Sequence, residues 1–66
     1  MVQKVIDVVG VSPRSFAVAA QNAVKEAAKT VRGMKWGRVS EFEVALDGAK
    51  VKEYRATVRI YFDIEP

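Results

Sequence analysis

The chain has no cysteine and no histidine among its 66 residues. Without cysteine there is no disulfide, no thiolate zinc site and no sulfur nucleophile. Without histidine the commonest general base, the commonest side-chain metal ligand and the base of Ser-His and Cys-His pairs are all missing. No Gly-rich phosphate loop and no D-x-D-x-D calcium loop occurs, and the eight carboxylates are dispersed rather than paired. The expectation is therefore a protein without catalytic residues and without a metal site of its own. Long apolar runs are absent too. The N-terminal stretch KVIDVVG is interrupted by Asp7, is too short to span a bilayer and carries no signal-cleavage pattern, so a cytoplasmic location is expected.

What is present is a small single domain, residues 1–66, in which 50% of the residues are hydrophobic. A chain this short buries roughly 60% of its unfolded surface, so its core is marginal unless something reinforces it. With disulfides and metals excluded, oligomerisation is the remaining reinforcement. The net charge is +3, from 11 Lys and Arg scattered among 8 Asp and Glu. Arg55, Thr57, Arg59 and Tyr61 give a faint nucleic-acid pattern, but Glu53 and Asp63 bracket it. Neither nucleic acid nor a membrane is expected as a partner.

The stretch from Ser12 to Gly33 predicts one amphipathic helix of about five turns, with Ser12 as N-cap, Pro13 in the first helical position and Gly33 at the end. Phe16, Ala20, Ala23, Val24, Ala27 and Val31 line one face, opposite Arg14, Gln21, Lys25 and Lys29. The alanines in that stripe allow a sheet to approach closely. Residues 3 to 10, QKVIDVVG, predict a strand with apolar groups on both faces. One cover is the helix and the other a neighbouring subunit.

Residues 35 to 47 predict a second strand. Phe42, Val44 and Leu46 share a face with Val39 out of phase, which calls for a bulge or sharp bend near Ser40. Asp47-Gly48 signals a hairpin turn. Residues 51 to 64 alternate most clearly: Tyr54, Ala56, Val58, Ile60, Phe62 and Ile64 on one side, Glu53, Arg55, Thr57, Arg59, Tyr61 and Asp63 on the other, with Pro66 closing the chain. The fold class that follows is α+β, in the order β-α-β-β: a three-stranded antiparallel sheet curved around one helix. Strands of about thirteen residues reach over 40 Å if straight, more than the helix covers. Tyr61 and the displaced Val39 point to neighbours on the second face.

Trp36, between Lys35 and Gly37 at the start of a strand, sits where little of its own subunit can bury it. An indole left there is either a stacking platform for a flat ligand, contributing about 0.5 to 1.5 kcal/mol beyond area burial, or a plug in a subunit interface.

The opening KVIDVVGVS, the helix SFAVAAQNAVKEAAKTVRG, Trp36 just after it and the closing VKEYRATVRIYFDIE together resemble a dodecin, over Lys4 to Glu65. The resemblance implies a hollow homododecamer of cubic symmetry. In flavin-binding members, pairs of isoalloxazine rings lie at two-fold axes between symmetry-related tryptophans, and the role is storage or sequestration of flavin without turnover. Trp36 matches the sandwiching tryptophan. Arg55 stands where those members carry a glutamine that hydrogen-bonds the ring, and Glu41 matches an acidic position that contacts the ribityl chain in some members. An arginine can donate to a flavin carbonyl but cannot accept from the ring N–H; pairing of Arg55 with Glu41 or Glu53 is the alternative. Glu43 and Asp63 replace basic residues that favour a phosphorylated cofactor, so riboflavin or lumichrome is expected to suit the site better than FMN. The competing reading is a dodecin-like shell without flavin, one that binds calcium or another small ligand.

Overall fold

The computed structural model describes residues 2–64, and Glu65 and Pro66, the expected end of the chain, lie outside the described residues. The order is β1 (Gln3–Ser12), α1 (Phe16–Ala27), β2 (Met34–Asp47) and β3 (Lys50–Asp63). The strands form one antiparallel sheet with β3 in the centre, in the order β1-β3-β2. The α+β class and the β-α-β-β order are those read from the sequence.

The helix is shorter than its periodicity suggests, 12 residues rather than the stretch from Ser12 to Gly33. Ser12 pairs with Tyr54 as the last residue of β1, because extending the strand ladder satisfies its backbone. Its hydroxyl accepts from the Arg14 N–H at 3.0 Å, which turns the chain at Pro13. The N-cap is instead Ser15, an extended residue whose Oγ accepts from the Val18 N–H at 3.1 Å. Beyond Ala27 the chain tightens into i→i+3 bonds, Lys29 to Glu26 and Thr30 to Ala27. Gly33, at φ +73°, is the bend into β2 and not the helix end.

The buried stripe of the helix is Ala19, Ala23 and Ala27. Ala19 was not among the expected core positions, and Val24, which was, is 40% exposed. The reason lies on β1. A Cβ on Gly10 would collide with the Ala19 carbonyl oxygen and stand 2.7 Å from the Ala23 nitrogen, so strand and helix backbones touch there. Only a glycine facing alanines permits that approach, and the helix turns its alanine row to it. Ala56, Val58 and Ile60 of β3 complete the core, with Ile6, Val8, Ala20 and Met34 packed against it.

β2 departs from regular pairing three times. Val39 faces Val58 and Glu41 faces Thr57, so Ser40 is the bulged residue, where the phase of Val39 placed it. The bulge returns Val39 to the helix side, with Phe42, rather than displacing it to the second face. Ala45 faces Glu53 and Leu46 faces Val51, which leaves Lys52 over on β3. Asp47 and Lys50 close the hairpin across Gly48, at φ +60°. The molecule measures 50 × 19 × 13 Å. A 12-residue helix is about 18 Å long, so much of the hairpin extends past it. At the helix start Phe16 fills that gap edge-on, 4.9 Å from the Phe42 ring and 5.0 Å from Tyr54.

Candidate ligand-binding site

The sheet face turned away from the helix carries the side chains that β3 alternation sends outward. Along β3 these are Arg55, Thr57, Arg59 and Tyr61, opposite Val11, Val9, Asp7 and Val5 of β1 and opposite Glu43, Glu41, Arg38 and Trp36 of β2. Trp36 and Tyr61 stack, with ring centroids 4.4 Å apart and planes 12° from parallel. Trp36 is nevertheless 56% exposed, so one indole face rests on the tyrosine and the other is open. Met34 faces Phe62 and Trp36 faces Tyr61, so Lys35 is the residue pushed out of the ladder beside the indole. Its Nζ lies 3.8 Å from Asp63, which also accepts from Gln3 Nε2 at 2.8 Å. The Asp63 carboxylate is thus engaged by its own chain.

The structure brings Glu41 and Arg55 together but not Trp36. Glu41 faces Thr57, two residues from Arg55 along β3, or about 7 Å. Trp36 faces Tyr61, which puts it about 20 Å along the sheet from Arg55. Among the described residues the ion pairs are Lys29 with Glu26, Lys35 with Asp63 and Arg59 with Asp7; none uses Arg55, and its pairing with Glu41 or Glu53 is not formed. The Arg59 pair has its Nε 3.2 Å from Asp7 Oδ1, and that hydrogen bond raises the arginine pKa above its ordinary value.

On the helix side a groove of about 440 Å³ runs between Ala20, Gln21, Val24 and Lys25 of the helix and Gly37 and Val39 of β2, floored by Val58. A second, of about 250 Å³, follows from Val24 past Met34 to Trp36. Together with Phe42 at 61% and Leu46 at 63% exposure, these leave β2 apolar and largely uncovered along its length. A bare edge strand of that kind is what a neighbouring chain covers. Among the described residues no group of three or more acidic side chains is gathered as for a metal ion, and no helix is long and apolar enough to cross a membrane.

Tyr61 is the site residue that sequence reasoning passed over. Its outward position was legible, but its partner was not. The stack depends on the register of β2 against β3, and that register passes through two bulges.

The sequence matches the dodecin family over residues 2–65. Calcium dodecin of Mycobacterium tuberculosis is 38% identical over 65 residues, which are 98% of this chain and 92% of that protein. A crystal structure of a Thermus thermophilus protein superposes with a TM-score of 0.92 at 34% identity, over 98% of this chain and 96% of that one. The crystal structure of the M. tuberculosis calcium dodecin, a calcium-chelating antigen with a calcium-binding site described as novel, gives 0.85 at 38% identity, over 100% and 94% of the two chains. Because the match in sequence and in fold spans nearly the whole chain, the chain belongs to the dodecin family.

Proposed function

We propose that the protein binds flavin, as riboflavin, lumichrome or FMN, and stores it without chemical turnover inside a homo-oligomeric shell in the cytoplasm, the dodecamer that its family resemblance implies. The observation that carries this reading is the Trp36–Tyr61 stack. Tyr61 holds the indole flat on the outer sheet face and leaves its other side open, which is the arrangement a planar ring needs for offset stacking. The separation of Trp36 from Arg55 and Glu41 within one chain fits a pocket assembled from two copies. One copy supplies the indole, and the other the guanidinium that donates to a ring carbonyl and the carboxylate that receives the ribityl hydroxyls. The chain lacks histidine and cysteine, the commonest groups for proton transfer and nucleophilic attack, which supports storage over turnover.

The test is a fluorescence titration of riboflavin with the full-length protein. Flavin emission is quenched on mixing and the quenching is lost in Trp36→Ala, while Trp36→Phe keeps part of it. Riboflavin emission that stays unchanged at micromolar protein refutes the reading. The similarity to a calcium dodecin favours a second one, calcium held by carboxylates of more than one copy. It predicts a melting temperature that climbs with calcium and falls back with chelator.

A further inference from the structure

One rung along the sheet from the aromatic pair, two arginines face each other. Arg38 of β2 is directly opposite Arg59 of β3, and side chains so placed have Cβ atoms about 5 Å apart. Like charges in that position repel unless something lies between them. Asp7, opposite Arg59 from the β1 side, meets one of the two, through its contact with Arg59 Nε. Among the described residues no ion pair involves Arg38, and Glu41, the next acidic side chain on β2, is not paired with it. The one carboxylate nearby is thus taken by Arg59, and the charge of Arg38 is left over.

The space between them is concave. Arg38, Val39, Ser40 and Arg59 line a hollow of about 270 Å³, which opens where the Ser40 bulge breaks the ladder. The bulge supplies a further polar group, since Ser40 Oγ donates only a long bond, 3.4 Å, to the Thr57 carbonyl and can turn to a better acceptor. Two arginines at facing positions and a hydroxyl, lining one hollow with surplus positive charge, are suited to the oxygens of a tetrahedral anion.

We propose that Arg38 and Arg59 form an oxyanion site that takes a phosphate group. The anion bridges the two guanidinium groups across β2 and β3 and offsets their repulsion. The site does not depend on the flavin reading, because it is defined by the arginines alone. Its position does bear on that reading: the hollow lies one rung, about 7 Å, from the Trp36–Tyr61 stack on the same face. A phosphate can therefore arrive as free inorganic phosphate or on a ligand whose ring lies against Trp36, and FMN then gains over riboflavin in spite of Glu43 and Asp63.

The experiment compares the full-length protein with Arg38→Gln and Arg38→Lys, since among the described residues Arg38, unlike Arg59, has no ion pair to lose. The first reading is the melting temperature in sodium phosphate against sodium chloride, at matched pH and ionic strength. Phosphate stabilises the native protein more than chloride; the difference shrinks in Arg38→Gln to the general effect of an excluded salt and is partly kept by Arg38→Lys. An equal difference in all three proteins overturns the proposal. The second reading is FMN against riboflavin in the fluorescence titration. FMN bound about tenfold more tightly, with the advantage lost in Arg38→Gln, assigns the site to the phosphate of the ligand itself. Equal binding of the two flavins, beside a phosphate-specific shift in melting, assigns it to free phosphate. If neither flavin binds and the shift remains, the oxyanion site stands and the flavin reading falls.

Discussion

The two edge strands of this sheet flank the same central strand, yet they are built for opposite purposes. β1 turns Ile6, Val8 and Gly10 to the helix and meets its backbone where Gly10 faces Ala19 and Ala23. There the side chains are small because contact is made by main chain. β2 carries Trp36, Phe42 and Leu46, each more than half exposed, and reaches the helix chiefly through the Phe16 ring. Large apolar side chains left in water on an edge strand do little for one chain's stability, and their value lies in what covers them. The comparison separates a half that holds the fold from a half that, on the proposed function, meets partners and ligand.

Substitutions can break that division or sharpen it. The largest effect is expected at Gly10. Gly10→Ala sets a methyl against helix backbone, which cannot yield as a side chain would, and costs about 3 kcal/mol or more in urea unfolding. A loss under about 0.5 kcal/mol would mean that strand and helix are not held so closely. Next is Leu46→Asp, at a position 63% exposed in one chain. It leaves the circular dichroism spectrum of the folded chain unchanged while raising the dissociation constant of the assembly about tenfold or more, measured by sedimentation against dilution. The smallest is Asp7→Asn. Its pair with Arg59 is about half exposed on both sides, so the cost is below about 1 kcal/mol and shrinks further in high salt.

Much of this was legible in the residues. The strict alternation of β3 named the buried Ala56, Val58 and Ile60, and the phase of Val39 against Phe42 located the bulge at Ser40. The helix ends were not legible, because Ser12 and Ser15 are equally good caps on sequence grounds. What separates them is that β3 is long enough to pair Ser12 into the sheet, and that is a tertiary fact. Ala19 was missed for a related reason: it lies in helical phase with Ala23 and Ala27, but that this stripe rather than the one through Val24 is buried follows from Gly10, nine residues away. The partner of Tyr61 was not legible, although the register that sets it is simple. Counting back from the Asp47–Lys50 closure pairs the two rings, since the bulges at Ser40 and Lys52 lie on opposite strands and cancel. Only one of those bulges leaves a trace in the hydrophobic pattern. The arginine pair beside the stack stayed hidden in the same way.

Native mass spectrometry of the purified full-length protein with added riboflavin reads both halves of the division at once. The expected spectrum is one multi-copy species, a dodecamer, that carries bound flavin in the wild type and is bare in Trp36→Ala. Single chains without flavin at every dilution would contradict it, because β2 would then have neither the partner nor the guest that the proposed function assigns to its exposed face.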